Sequence, residues 1–351
     1  MSRAVGCDCG TMFFQTAEND KDGKLSLKEI RNAFVQLEAS EDIEQVLAQN
    51  DWQYVSDDKN YYILGSDSMR VARMFPGKVE LRRPMQGGVL NKGEDKKMLV
   101  MAKMIESSIG KAPDDQSLVC TCVSSDPVDG AQDNLFHKAR LEGMFKRLGW
   151  NVKVIEEGHA VILSENPSIT DADGKRIPFS GIGVSFGAGK VNCVLAYRGL
   201  SVVGMSAARS GDWIDKKVAD QTDAPITKVT NIKETKLDFN NIDYDDDIVY
   251  ALDAYYTNMI EYVFKNFAKK FSKEKSEFEA PLDIVIAGGT SMPKGFRDKV
   301  KSVVEGLDLP FEIKDVIQSD DPRNAVVKGC LTQAIISQKK LKGKKIDEML
   351  E

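Results

Sequence analysis

The chain has 351 residues, 42% of them hydrophobic and 29% charged, with a formal net charge of −6. That length exceeds one ordinary hydrophobic core and predicts two domains of similar size in a globular protein. The acidic balance gives no reason to expect nucleic acid as a direct partner, and no apolar run approaches the roughly 18–20 residues that span a bilayer.

The predicted elements alternate between strand and helix. Residues 3–17 read as two strands around Gly10-Thr11, and the polar stretch "ENDKDGK" leads into a third strand pattern, "LSLKEIRNAFVQLE". Residues 41–84 form a small mixed region with "QYVSDDKNYYILG" as a hairpin. Residues 94–110 show helical periodicity, "SLVCTCV" is a buried strand, and "DNLFHKARLEGMFKRLG" is an amphipathic helix capped by Gly149. "NVKVIEE" is a further short strand. The pattern then restarts with "GIGVSFGAGKVNCVLAYRGLSVVG", two or three strands about a glycine-rich turn. Helices are expected over 212–237 and 247–272, a strand at "PLDIVIAGG", a helix at "KGFRDKVKSVVEG", a strand at "FEIKDV" and a last helix from Pro322 to about Lys340. Such alternation predicts α/β architecture in both halves. The basic tail "KKLKGKK" (339–345) reads as a solvated end.

The two halves echo each other. When "VGCDCGTMFFQTAENDKDGKL" is set above "IGVSFGAGKVNCVLAYRGLSV", Gly6 falls on Gly183, Asp8 on Ser185 and Gly10 on Gly187. Each copy is a strand, a tight turn of small residues and a returning strand, which points to a duplicated fold. Such turns expose consecutive backbone N–H groups in a concave nest that suits anionic oxygens. A carboxylate beside the first turn, Asp8, suits a hydrated Mg²⁺ that keeps several of its waters. Two facing turns would clamp a polyphosphate between the domains.

At this point the residues resemble the actin-like ATPase superfamily. "GCDCGT" resembles the first phosphate loop, "GVSFGAGKVN" (183–192) the second, and "IVIAGGTSMPKGF" (284–296) the adenosine motif. "RRPMQGGVL" (82–90), "VIEEGHAVILSEN" (154–166) and "SGDWID" (210–215) are similar to segments of bacterial actins of the MreB, MamK and ParM type. "NIKETKL" (231–237) resembles a segment of actin itself, and "DPRNAVVKGCL" (321–331) the second connecting segment. The resemblance implies a duplicated, ribonuclease H-like α/β fold of two domains with a central nucleotide cleft. Domain I would comprise 1–165 plus 322–351, with a small subdomain over about 38–84; domain II would comprise 166–321, with one over about 206–249.

Carried over residue by residue, the resemblance implies ATP and Mg²⁺ as cofactors. Asp8 would hold Mg²⁺ through water, and Gly10, Thr11 and Met12 would meet phosphates. Ser185, Gly187, Ala188, Gly189 and Lys190 would form the second phosphate turn, with Gly211 and Asp212 beside it. Glu157 would orient the attacking water. Lys233 and Glu234 would meet the ribose or base, and Gly288, Gly289 and Thr290 the adenosine. Glu156 beside Glu157 points to the opposite face of a strand, so either acid is a candidate for the cleft. Two positions depart from the pattern: Ser185 stands where an Asp is usual, and Gly158 where a Pro is usual. Without that Asp, ATP binding is expected and hydrolysis is expected to be slow.

The implied function is a cytoplasmic, cytoskeletal ATPase that polymerises with itself, with a cargo or adaptor protein as a further partner. The lack of an evident N-terminal amphipathic helix argues against membrane attachment. One rival is a non-polymerising kinase of the same superfamily. Another is a Ca²⁺-binding scaffold, because "ENDKDGKLSLKE" (18–29) matches EF-hand spacing; its β-like flank favours an ordinary Asp-Gly turn instead. Lastly, "CDC" (7–9) and "CTC" (120–122) would gather four cysteines if their strands adjoin, as a metal site or as small buried side chains.

Overall fold

The computed structural model describes residues 2–75, 77–129, 134–165, 169–170, 176–273 and 281–350, with backbone alone at 169–170, 176–177 and 344–350. The chain divides into two compact units. The first comprises Met1–Thr121, Leu135–Val154 and Ala334–Glu351, and the second Cys122–Asn134 and Ile155–Gln333.

In the first unit, β1 (Ala4–Cys9), β2 (Phe13–Asn19) and β3 (Leu25–Arg31) form an antiparallel meander. Next come β4 (Phe34–Glu38), α1 (Glu41–Gln49), β5 (Tyr54–Ser56), β6 (Asn60–Leu64) and α2 (Gly65–Met74). After the short strands β7 (Met85–Gln86) and β8 (Val89–Leu90) come α3 (Lys97–Ile109), β9 (Leu118–Val123), α4 (Asn134–Arg147) and β10 (Asn151–Glu156). The main sheet has the order β10-β9-β1-β2-β3, and β9 lies parallel to β1. A second sheet, β4-β6-β5, packs Val35 and Ile63 on Leu47 of α1 and Val71 of α2. Ser40 caps α1 by accepting from the Ile43 N–H at 3.3 Å, and Glu41, Asp42 and Glu44 complement the helix dipole.

The single long strand expected over 25–38 is two strands in different sheets. The chain breaks at Asn32, whose N–H donates to the Met12 carbonyl at 3.0 Å and whose side-chain amide donates to the Gly10 carbonyl at 2.7 Å. Tying that residue to the first turn pulls β4 out of the meander.

The second unit carries α5 (Glu157–Glu165), the two-residue strands β11 (Ile169–Thr170) and β12 (Arg176–Ile177), then β13 (Gly181–Phe186), β14 (Val191–Tyr197) and β15 (Leu200–Ala207). Helices α6 (Gly211–Thr222), α7 (Ile226–Thr235) and α8 (Asp247–Lys273) precede β16 (Leu282–Ala287), α9 (Phe296–Glu305), β17 (Ile313–Gln318) and α10 (Ala325–Leu350), of which the residues from Ala334 on belong to the first unit. The sheet order is β15-β14-β13-β16-β17. Here too the first strand pairs antiparallel with the second and parallel with the fourth. β13 and β16 are buried along their whole length, as central strands covered on both faces must be. The apolar positions of α8 recur every three or four residues, at Leu252, Tyr256, Met259, Ile260, Val263, Phe264 and Phe267, and form its core stripe.

The one helix expected over 212–237 is instead α6 and α7. Asp223 ends α6 in the left-handed region at φ 52°, and Pro225 starts α7. The expected domain boundary at 165/166 adjoins residues 166–168, which lie outside the described residues.

The duplication read from the sequence is present strand for strand. β1 and β13 are both six residues long and hold the same place in sheets of the same order, so Asp8 and Ser185 are equivalent positions. Their cross-strand partners are Gln15 and Asn192.

Candidate functional site

In the first unit, the turn after β1 is tight. A Cβ at Gly10 would lie 2.8 Å from the Phe13 carbonyl oxygen and 3.8 Å from Asp8 Oδ1. The Thr11 hydroxyl oxygen accepts from the Gly88 N–H at 2.9 Å, which fastens the turn to the 82–90 segment. That bond uses a lone pair, and the hydroxyl proton stays available to an acceptor. Asp8 is half-buried beside the turn.

In the second unit, the turn between β13 and β14 spans residues 187–190 and closes through the Gly187 N–H donating to the Lys190 carbonyl at 3.0 Å. Its outward carbonyls are consumed by neighbours. The Gly187 carbonyl accepts from the Gly211 N–H at 3.1 Å and from Thr290 Oγ1 at 3.0 Å, and the Ala188 carbonyl accepts from the Asp212 N–H at 2.8 Å. The first amides of α6 are thereby satisfied by the turn, and Ser210 makes no side-chain cap. Among the described residues, the N–H groups of Ala188 and Gly189 have no acceptor. The turn therefore offers donors, as an anion nest does.

The segment after β16 completes this cluster. Gly288 sits at φ 100°, where a Cβ would lie 2.4 Å from the Phe186 carbonyl oxygen, so only glycine fits. The 3-10 turn Gly289–Ser291 that follows is held by Tyr256, whose hydroxyl donates to the Thr290 carbonyl at 3.1 Å. Lys233 of α7 lies beneath: its ammonium pairs with Asp215 Oδ1 at 2.8 Å and donates to the Gly211 carbonyl at 3.1 Å. Thr230 adds a hydroxyl bond to Asp215 Oδ2 at 2.8 Å.

Glu157 opens α5 and faces the end of the same hairpin. Its Oε2 accepts from Asn192 Nδ2 at 2.9 Å and from Ser185 Oγ at 3.4 Å, and its Oε1 from Ser124 Oγ at 3.3 Å. The donors from Ser124, Ser185 and Asn192 are all neutral. Glu156 turns away, to Ser125 Oγ at 2.6 Å and Ser201 Oγ at 2.5 Å. Of the two candidate acids, Glu157 is thus the one beside the second turn.

The placement of α5 rests on backbone contact. A Cβ at Gly183 would lie 2.1 Å from the Gly158 carbonyl oxygen, and one at Gly158 would lie 2.7 Å from the Gly183 carbonyl oxygen and 2.8 Å from the Val194 nitrogen. Gly158 stands where a proline is usual because nothing bulkier fits against β13 and β14.

Lys190, at the end of the turn, is 4% exposed. Its ammonium has one hydrogen bond among the described residues, a long 3.5 Å contact to Asn134 Oδ1. Burial lowers its pKa below the ordinary lysine value, while the Glu157 and Asp129 carboxylates act through space to raise it.

Glu157, Ser185, the 187–190 turn, Gly211, Asp212, Lys233, Gly288 and Thr290 thus form one connected group in the second unit. Glu234 and Gly289 are exposed. Asp8, Gly10, Thr11 and Met12 form the turn of the first unit. Asn192, Ser124, Asn134 and Asp215 belong to the second-unit group without having been singled out in the sequence. Asn192 was within reach, since a hairpin closing on residues 187–190 sets 192 opposite 185.

Two alternatives are not formed, the EF-hand at 18–29 and the four-cysteine metal site, and the turn and the buried cysteines stand in their place. The 18–29 loop is flanked by β2 and β3, not helices, and Asp20 Oδ1 accepts from the N–H groups of Asp22 and Lys24 at 2.9 and 2.8 Å. Glu18 pairs with Arg3 and Glu29 with Gln15, so the EF-hand geometry is not formed. The cysteine pairs do lie on adjacent strands, but Gly6 pairs with Cys120 and Cys7 with Thr121. That register sends Cys7 and Cys9 to one face of the sheet and Cys120 and Cys122 to the other. Four cysteines cannot converge there.

No protein of curated function matches the sequence. The fold is similar to that of MamK in a double helical filament, with a TM-score of 0.66 and 16% identity over 95% of this chain and 99% of that one. MreB5 of Spiroplasma citri bound to ADP gives 0.66 and 12% over 97% and 99%. The ethanolamine utilization protein EutJ from Carboxydothermus hydrogenoformans gives 0.55 and 12% over 95% and 90%. At these identities the likeness is one of fold, and the fold is of the bacterial actin type. The Volactin family model matches residues 3–334. With nearly the whole sequence matched and the duplicated sheets in place, the chain belongs to the Volactin family.

Proposed function

We propose that this protein is a cytoskeletal, actin-like ATPase that binds Mg·ATP and assembles with copies of itself into filaments. The observation that carries the reading is the 187–190 turn, which spends its carbonyls on α6 and Thr290 and keeps the amides of Ala188 and Gly189 for an anion, with the Glu157 carboxylate fixed beside it. Phosphoryl transfer to water asks little covalent chemistry of a protein; it asks for alignment and charge stabilisation. In this reading the second turn binds phosphate oxygens through its amides, and the Asp8 turn of the first unit is a second small-residue turn of the same kind. Lys233, Gly288 and Thr290 frame the nucleoside end, with Gly211, Asp212 and Glu234 at its edge. Glu157 accepts a hydrogen bond from the attacking water.

Among the described residues, no group of three or more His, Cys, Asp or Glu gathers to hold a metal by itself. A half-buried Asp8 beside a small-residue turn fits instead a Mg²⁺ that arrives with the phosphates and keeps its waters. When bound, that ion would neutralise charge on the phosphate oxygens. Ser185 contributes a hydroxyl where an acid is usual, so hydrolysis is slow. The protein works in the cytoplasm, its main partner is another copy of itself, and a cargo or adaptor protein is the second.

The test is sedimentation of the pure protein with ATP, ADP and a non-hydrolysable analogue, beside phosphate release and electron microscopy. Expected are filaments that pellet with ATP or the analogue, pellet less with ADP, and release phosphate slowly. Monomers over a wide concentration range under every nucleotide would overturn the assembly reading. ATP consumption that depends on an added sugar or acid would point to the kinase alternative.

A further inference from the structure

Among the described residues the second unit holds two buried lysines, and they are not alike. Lys233 is 8% exposed and its ammonium has an ion-pair partner, Asp215 Oδ1 at 2.8 Å, besides its 3.1 Å bond to the Gly211 carbonyl. Lys190 is buried more deeply, at 4%, yet its hydrogen bonding among the described residues is a single 3.5 Å contact to an amide oxygen. A lysine usually carries its charge out to water along its flexible stem, and a buried ammonium with so little bonding costs stability. Among the described residues the Glu157 and Asp129 carboxylates favour its charge through space, and neither forms an ion pair with it. One of these acids, Glu157, accepts from Ser124, Ser185 and Asn192.

The same turn adds a second, independent sign. Directly before Lys190, the amides of Ala188 and Gly189 donate to nothing among the described residues. Buried positive charge and open donors thus meet at one turn, and both ask for an anion. The position equivalent to Asp8 is the neutral Ser185. Compared with a turn that opens on an acid, this one is more positive by an acid lost and an ammonium gained.

We propose that Lys190 is the turn's own cation for the terminal phosphate of a nucleoside triphosphate, and that it sets the preference of this site for triphosphate over diphosphate. The proposal rests on the reading that the turn takes nucleotide phosphates. It assigns to a side chain part of the charge neutralisation that a second metal-organising acid would otherwise support.

Calorimetric titration of the wild-type chain and of Lys190→Met with ATP and with ADP tests it, together with thermal melting of both proteins free of nucleotide. Methionine keeps the length of the stem and removes the charge. The wild type should bind ATP more tightly than ADP. The variant should lose roughly tenfold or more in ATP affinity and less in ADP affinity, since a charge-assisted bond to the terminal phosphate is what disappears. Without nucleotide it should melt at the same or a higher temperature, because a buried ammonium held by one long hydrogen bond among the described residues has gone. An unchanged ATP-to-ADP ratio in a variant that still binds ATP would overturn the role of Lys190 and leave the nucleotide reading standing. A lower melting temperature of the nucleotide-free variant would overturn it too, by making the lysine a structural element. A wild type that binds neither nucleotide would overturn both.

Discussion

Replacing Glu157 with Gln is expected to cut phosphate release from ATP by roughly 10- to 100-fold, at or below the low end of what a positioned general base contributes, while ATP-dependent sedimentation persists. The carboxylate is held by Asn192 Nδ2 at 2.9 Å, Ser185 Oγ at 3.4 Å and Ser124 Oγ at 3.3 Å. Glutamine keeps the shape, and the serine hydroxyls can rotate to accept from its amide, so the fold should survive. What goes is the negative charge facing the water. The neighbouring Glu156→Gln supplies the control. That acid bonds Ser125 and Ser201 on the other side of the strand end, so its replacement should lower the melting temperature more than the rate. Phosphate release that falls for Glu156→Gln and not for Glu157→Gln would reverse the assignment.

Gly183→Ala is expected to be among the most damaging single-methyl additions in the second unit. The new Cβ would stand 2.1 Å from the Gly158 carbonyl oxygen and 2.7 Å from Ile162 Cγ1, and the first of these is backbone that cannot rotate away. Helix α5 would have to lift from β13. Overpacking of this kind costs about 1–3 kcal/mol, equivalent to roughly 2–12 °C in melting temperature for a unit of this size. Because Glu157 is the first residue of α5, the lifted helix should also carry the carboxylate away from Asn192, and phosphate release should fall with stability. Calorimetry and a phosphate assay on the same sample check both. A variant that melts with the wild type would show that the seam between α5 and β13 is looser than its contacts indicate.

Much of this was legible in the sequence, and the reasons are physical. The match of Gly6 with Gly183 and of Asp8 with Ser185 holds because both hairpins need small residues at the same strand positions, and the sheets confirm the pairing. The break between α6 and α7 was readable from Pro225. The break between β3 and β4 was not, because neither glycine nor proline marks it; Asn32 is held by Gly10 and Met12, partners that only the tertiary fold supplies. Likewise, alternation along a strand predicts that Cys7 and Cys9 share a face, yet only the register with β9 shows that Cys120 and Cys122 take the other. Ser124 and Asn134 reach the site from the stretch after β9, far along the chain from the hairpin, and no local pattern announces them.

The outward carbonyls of the 187–190 turn are occupied by α6 and Thr290, so what it presents at 188 and 189 is peptide nitrogen. Truncating side chains there would be silent: position 188 is already alanine and 189 has nothing to remove. Only chemistry that edits the chain itself, such as an ester in place of an amide or a proline, deletes one of these donors. Tolerance to replacement at those positions therefore measures loop shape, and an alanine survey would pass over the donors at 188 and 189 altogether.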